Sequence, residues 1–136
     1  MRNPDFVIGD PEDPYLRRWW VIPRNRLFNI YLHHFLHSDD DRALHDHPWL
    51  FNCSILVKGT YYEVTFSGAC RRRRWVPYFR WGKAAHRVEL VSREVWTVFI
   101  TGPVVRDWGF YCPQGWRHWR EFTDPGNEGA TGGGCE

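Results

Sequence analysis

Two histidines one residue apart, His45 and His47 in "RALHDHPWLFNC", offer the first chemistry in this chain. In an extended segment residues i and i+2 project from one face, so both imidazoles reach one point while Asp46 turns away. Two nitrogens alone do not hold a divalent ion. A third must arrive from elsewhere in a sheet, and His86 in "WGKAAHRVEL" lies at the start of a later strand, after a glycine-containing loop. Three neutral imidazoles leave coordination positions open for water or substrate, and such sets serve iron, zinc, nickel, manganese or copper. The competing account makes His45 and His47 ordinary polar residues beside the turn at Pro48, with His86 hydrogen-bonded in the core and no metal.

Other residues could act on a ligand held there. Arg106 and Trp108 in "VVRDWGF" share a strand face after a Gly-Pro turn, which suits a clamp for a carboxylate or phosphate. An arginine stacked on tryptophan for packing alone gives the same pattern. Glu63 in "GTYYEV" is a candidate general acid or base with Tyr61 on its face, against a simpler surface charge pair. His33, His34 and His37 are expected to be solvated or hydrogen-bonded rather than ligating. Alternation splits the run Arg71 to Arg74 between two faces of an exterior strand, and with a formal net charge of +2 nucleic acid is not the expected partner. There is no glycine-rich phosphate loop, no GxSxG elbow and no placed Cys-His pair to support nucleotide hydrolysis or nucleophilic catalysis.

The elements that must position these groups are strands. At 136 residues the chain suits one domain. Nine tryptophans and abundant valine and glycine favour sheet over helix. "RLFNIYLHHFLHS" alternates, with Phe28, Ile30, Leu32 and His34 on one face and Asn29, Tyr31, His33 and Phe35 on the other. "LFNCSILVKGTYYEVTF" reads as a strand bent at Gly59, turning at "SGA" and returning through "CRRRRWVPYFRW". "AAHRVELV", "REVWTVFITG", "VVRDWGFYC" and "RHWREFT" add four short strands, which together indicate an all-β sandwich or barrel over residues 27–123. Three prolines in the first 20 residues mark residues 1–26 as an irregular arm, and the glycine-rich residues 124–136 are expected to be disordered. Cys53, Cys70, Cys112 and Cys135 have irregular spacing that suits reduced thiols, and no apolar run suggests a membrane span or signal peptide, so a soluble cytoplasmic protein is expected.

The spacing from His47 through Asn52 to Gly59 resembles the first motif of the cupin superfamily, His-x-His, three or four residues, Glu, six residues, Gly, with asparagine in place of glutamate. The second motif contributes one histidine, here His86, although "WGKAA" replaces its Pro-x-Gly and Leu90 stands where an asparagine is usual. "DDDRALHDHPW", "GTYYE", "AAHRVEL" and "TGPVVRDWGF" are similar to a group of small cupin-like proteins of bacteria and phages, over about residues 28–122. The resemblance implies a single-domain antiparallel β-barrel, a double-stranded β-helix or jelly roll, with a divalent ion on His45, His47 and His86 and with Asn52 as a further neutral ligand. It does not imply a reaction; the open positions on such an ion suit a metal-dependent enzyme acting on a small anionic molecule, dioxygenase-like if the metal is iron. The alternative is a non-catalytic ligand- or partner-binding module of phage or prophage origin, and a homodimer is compatible with either.

Overall fold

Alternating β-branched and aromatic residues make almost every element a strand. The computed structural model describes residues 2–10, 12–38, 43–124, 127–131 and 135. The first half holds β1 (Phe6–Asp10), β2 (Asp13–Trp20), β3 (Asn29–Phe35), β4 (Leu44–His45), β5 (Phe51–Lys58), β6 (Tyr61–Thr65) and β7 (Gly68–Arg71). The second holds β8 (Pro77–Trp81), β9 (Arg87–Leu90), β10 (Val95–Thr101), β11 (Gly109–Cys112), β12 (Gly115–His118), one helical turn α1 (Trp119–Phe122), β13 (Thr123–Asp124) and β14 (Asn127–Thr131). No helix among the described residues is long and apolar enough to cross a membrane.

Six strands form one sheet in the order β1-β2-β3-β10-β5-β8, and two three-stranded sheets, β7-β6-β9 and β12-β11-β4, complete the body. Neighbouring strands pair antiparallel throughout, as the all-β expectation requires. Asn52, Ser54 and Leu56 of β5 are buried beside Thr97, Phe99 and Thr101 of β10. Apolar packing is concentrated in two small clusters, Leu56, Tyr61, Val88 and Val95 in one and Ala43, Phe110 and Phe122 in the other. Many other buried positions are polar, among them His47, Asn52, Glu63, His86 and Thr101. Polar groups so placed must find partners inside the protein, and that requirement organises the site.

Gly59 makes the bend expected of it between β5 and β6. Its φ is +99°, and a Cβ there would stand 2.5 Å from the Glu94 carbonyl oxygen, so only glycine fits.

Four expectations are corrected. The N-terminal arm is ordered as a hairpin of β1 and β2 that extends the main sheet. Pro14 is tolerated there because it lies opposite Gly9, where the register slips and the ladder is already interrupted. "RHWREFT" does not run as one strand: β12 stops at His118, whose side chain accepts from the Arg120 N–H and starts α1. Cys112 and Cys135 form a disulfide, although 23 residues separate them, while Cys53 and Cys70 are free. Of the tail expected to be disordered, residues 127–131 pair with β13. The remaining tail positions 125, 126, 132–134 and 136 lie outside the described residues, as do residues 39–42 of the loop before β4.

Candidate metal centre

His45 is the last residue of β4, and its backbone pairs directly with that of His86 just before β9. Each N–H donates to the other's carbonyl at 2.9 Å. The His47 N–H donates to the Gly82 carbonyl at 2.9 Å, so the two sequence regions that carry the histidines are joined backbone to backbone. Gly82 is obligatory for this approach, because a Cβ there would lie 1.8 Å from the Trp49 carbonyl oxygen. Asp46 turns to the opposite side, as alternation requires. It is fully buried, accepts from the Gly109 N–H at 2.7 Å and from Trp116 Nε1 at 3.2 Å, and pairs with Arg106 at 3.0 Å.

The three imidazoles converge. One ligand atom from each of His45, His47 and His86 lies within 4.8 Å of the others, and the Nε2 atoms of His47 and His86 are 3.1 Å apart. His86 Nδ1 lies 2.6 Å from Glu63 Oε1. Burial alone would raise the Glu63 pKa, but the His86 hydrogen bond and the Arg80 and Arg72 cations outweigh it and hold the carboxyl well below its usual range. An ionised carboxylate only accepts, so His86 Nδ1 carries the proton and His86 Nε2 presents a lone pair to the centre. Burial, and then the charges of His86 and His45, push His47 far below its ordinary range; burial takes His86 to about 4 despite Glu63. His47 and His86 are therefore held as neutral imidazoles, donors that suit a borderline divalent ion.

Beside the histidines lies a cavity of about 410 Å³, within the range of small-molecule sites. Trp49, Phe99, Trp108 and Phe110 contribute aromatic wall, and Arg18, Arg24 and Arg80 contribute positive charge. Among the described residues, no aspartate or glutamate lines it. Arg80 donates to Asn52 Oδ1 and, at 3.1 Å, to Ser54 Oγ, and pairs with Glu63. Arg18 Nε donates to His33 Nε2 at 2.9 Å, which with burial keeps His33 neutral.

The residues singled out from sequence separate into two groups. His45, His47, His86, Tyr61 and Trp108 meet at the cavity. Tyr61 is pushed up to about 12, first by burial and then by the Glu63 charge, so it remains a neutral hydroxyl. Asn52, Glu63 and Arg106 are not among the lining residues. The Asn52 oxygen is turned to Arg80, Glu63 is enclosed by His86, Arg72 and Arg80, and Arg106 holds Asp46 and the His47 carbonyl. Each is occupied by a buried partner rather than directed at a ligand. Glu63 is thus not the surface charge of the simpler account: it is 2 % exposed.

Asp46, Arg80 and Arg18 escaped sequence reasoning. Asp46 carried a signal, an acid between two paired histidines. Arg80 carried a misleading one, because "PYFRW" would place its aromatics inside by hydrophobicity, whereas Tyr78 and Arg80 turn inward and Phe79 and Trp81 outward.

No protein-family model and no curated protein sequence matches the chain. Solved structures do. A protein with a double-stranded β-helix domain from Klebsiella pneumoniae superposes with a TM-score of 0.58 at 12% identity, over 78% of this chain and 90% of that one. A cupin domain from Bordetella pertussis gives 0.52 at 18% identity, over 76% and 99%. The DMSP lyase DddQ from Ruegeria pomeroyi gives 0.55 at 10% identity over 75% of this chain, which spans about half of the lyase (54%). At such identities the likeness is one of fold, and the fold of this chain is the cupin double-stranded β-helix.

Proposed function

We propose that the chain is a metal-dependent cupin that holds one divalent ion on His45, His47 and His86 and acts on a small anionic molecule in the adjoining cavity. The observation that carries this is the convergence of three imidazoles, with the His86 tautomer fixed by Glu63. When bound, the ion supplies a Lewis acid with open positions, able to polarise an oxygen of the molecule. The chain's own residues do the rest. Arg18, Arg24 and Arg80 favour a negatively charged guest in a cavity that no acid among the described residues lines, and the aromatic walls favour an apolar body attached to that charge. Tyr61 supplies a neutral hydroxyl that can donate to the guest. Iron, zinc, nickel, manganese and copper all suit imidazole, and the reaction is oxygenase-like if the ion is iron.

A second reading, a binding module without metal, is favoured by one contact. The Nε2 atoms of His47 and His86 already satisfy each other at 3.1 Å. Calorimetry with benzoate and benzamide as probes separates the two. The metalloprotein reading expects benzoate to bind the metal-loaded protein at least tenfold more tightly than benzamide, and the preference to disappear in His45→Ala/His47→Ala. Benzoate binding by the metal-free protein and by that double variant as tight as by the metal-loaded protein contradicts it and supports the module.

A further inference from the structure

Three arginines of the run from 71 to 74 play no part in the metal centre and are exposed. Between Glu63 and Glu89 the chain has no acidic residue, yet it carries arginine at four successive positions from Arg71. Arg72 leaves the surface to pair with Glu63, while Arg71, Arg73 and Arg74 stay exposed. The formal net charge of +2 conceals this local segregation.

Aromatic rings accompany the cations. Trp75 is 65% exposed, Phe79 57% and Trp81 54%. Phe79 and Trp81 share the outward face of β8, the last strand of the main sheet, with ring centroids 5.1 Å apart. Phe51 backs Phe79 at 5.6 Å in a nearly parallel stack. Trp75 begins this row, and its backbone lies in the left-handed region at φ 66°, the only non-glycine residue so placed among those described. That conformation disfavours a bulky side chain, and the hydrogen bond from the Trp75 N–H to Leu56 holds the backbone there whatever the side chain is. An exposed ring kept at a strained position is a reason to look for what it contacts.

We propose that this surface binds single-stranded nucleic acid, with bases stacked on Trp75, Phe79 and Trp81 and phosphates on Arg71, Arg73 and Arg74. Charge complementarity selects this occupant over a second copy of the chain, because self-association would bring Arg71, Arg73 and Arg74 of two copies together, like charge against like. Stacking on exposed rings beside cations is the sequence-tolerant mode of single-strand binding. The proposal does not depend on the metal centre.

Fluorescence anisotropy with a labelled oligothymidylate tests it, using the intact chain. Binding should weaken roughly tenfold or more between about 50 and 200 mM salt, from three phosphate contacts at about −0.7 each in the log–log slope. Removing the three arginines should flatten that slope. Trp75→Gly should weaken binding about tenfold, one base stack, without lowering the melting temperature, since glycine accepts the backbone that tryptophan strains. No binding at low salt, or binding insensitive to salt, overturns the proposal. So does a concentration-dependent dimer that Phe79→Asp dissociates and the oligonucleotide does not, which would assign the surface to a second copy.

Discussion

Two histidines in this molecule, His86 through Nδ1 and His34 through Nε2, contact a glutamate at the same distance and to different ends. His86 meets Glu63 at 2.6 Å and His34 meets Glu94 at 2.6 Å. Glu63 is 2% exposed and enclosed by Arg72 and Arg80; Glu94 is 37% exposed and shares its charge with Lys58. The second nitrogen of His86 faces His47, whereas that of His34 is buried without a partner while its ring stacks on Trp96 at 3.9 Å. The hydrogen bond alone therefore does not make a ligand. What distinguishes His86 is a backbone that brings two further imidazoles to its free lone pair.

That contrast can be broken most severely at Gly82, which lets the strand carrying His47 approach. Gly82→Ala should lower the melting temperature by roughly 15 °C or more, a loss of about 5 kcal/mol, read by thermal denaturation. Glu63→Ala comes next. It leaves buried Arg80 without its carboxylate and should cost about 3–5 kcal/mol in denaturant unfolding. Glu63→Gln keeps an acceptor for His86 and removes the charge, so metal affinity measured by competition with a chelator should fall about 10- to 100-fold. The equivalent Glu94→Gln on the outer pair should leave that affinity unchanged, and an equal loss at both positions would erase the distinction.

A smaller effect concerns His33, which is buried and accepts from Arg18 outside the metal centre. Its folded pKa lies well below 6.5, so as pH falls below about 6.5 the unfolded chain takes up a proton that the folded one does not. Stability from this group is complete above 6.5 and declines as the pH falls towards its folded pKa. His33→Gln, which retains an acceptor for Arg18, should make the decline between pH 7 and 5 measurably shallower in urea titrations followed by tryptophan fluorescence.

Much of the fold was legible because period-two alternation reports faces directly. It put Asn29, Tyr31 and His33 together on one face of β3, the face that the fold buries, and the distance from His47 to Gly59 marked the bend that the backbone makes. The convergence of His45, His47 and His86 was legible for the same reason, since i and i+2 share a face and a third strand must supply the remaining ligand. The surroundings were not. Whether Glu63, Asn52 and Arg106 face a ligand or one another depends on which arginine comes inside, and hydrophobicity points the wrong way on β8. The disulfide between Cys112 and Cys135 was hidden because sequence spacing says nothing about which segments fold back together.

Metal content tests the central claim most directly. Protein purified without an affinity tag, loaded anaerobically with iron or zinc and then dialysed, should retain about one ion per chain by elemental analysis, while His45→Ala/His47→Ala retains almost none. Wild-type protein that stays far below one ion after loading, or a double variant that binds as much as wild type, would contradict it.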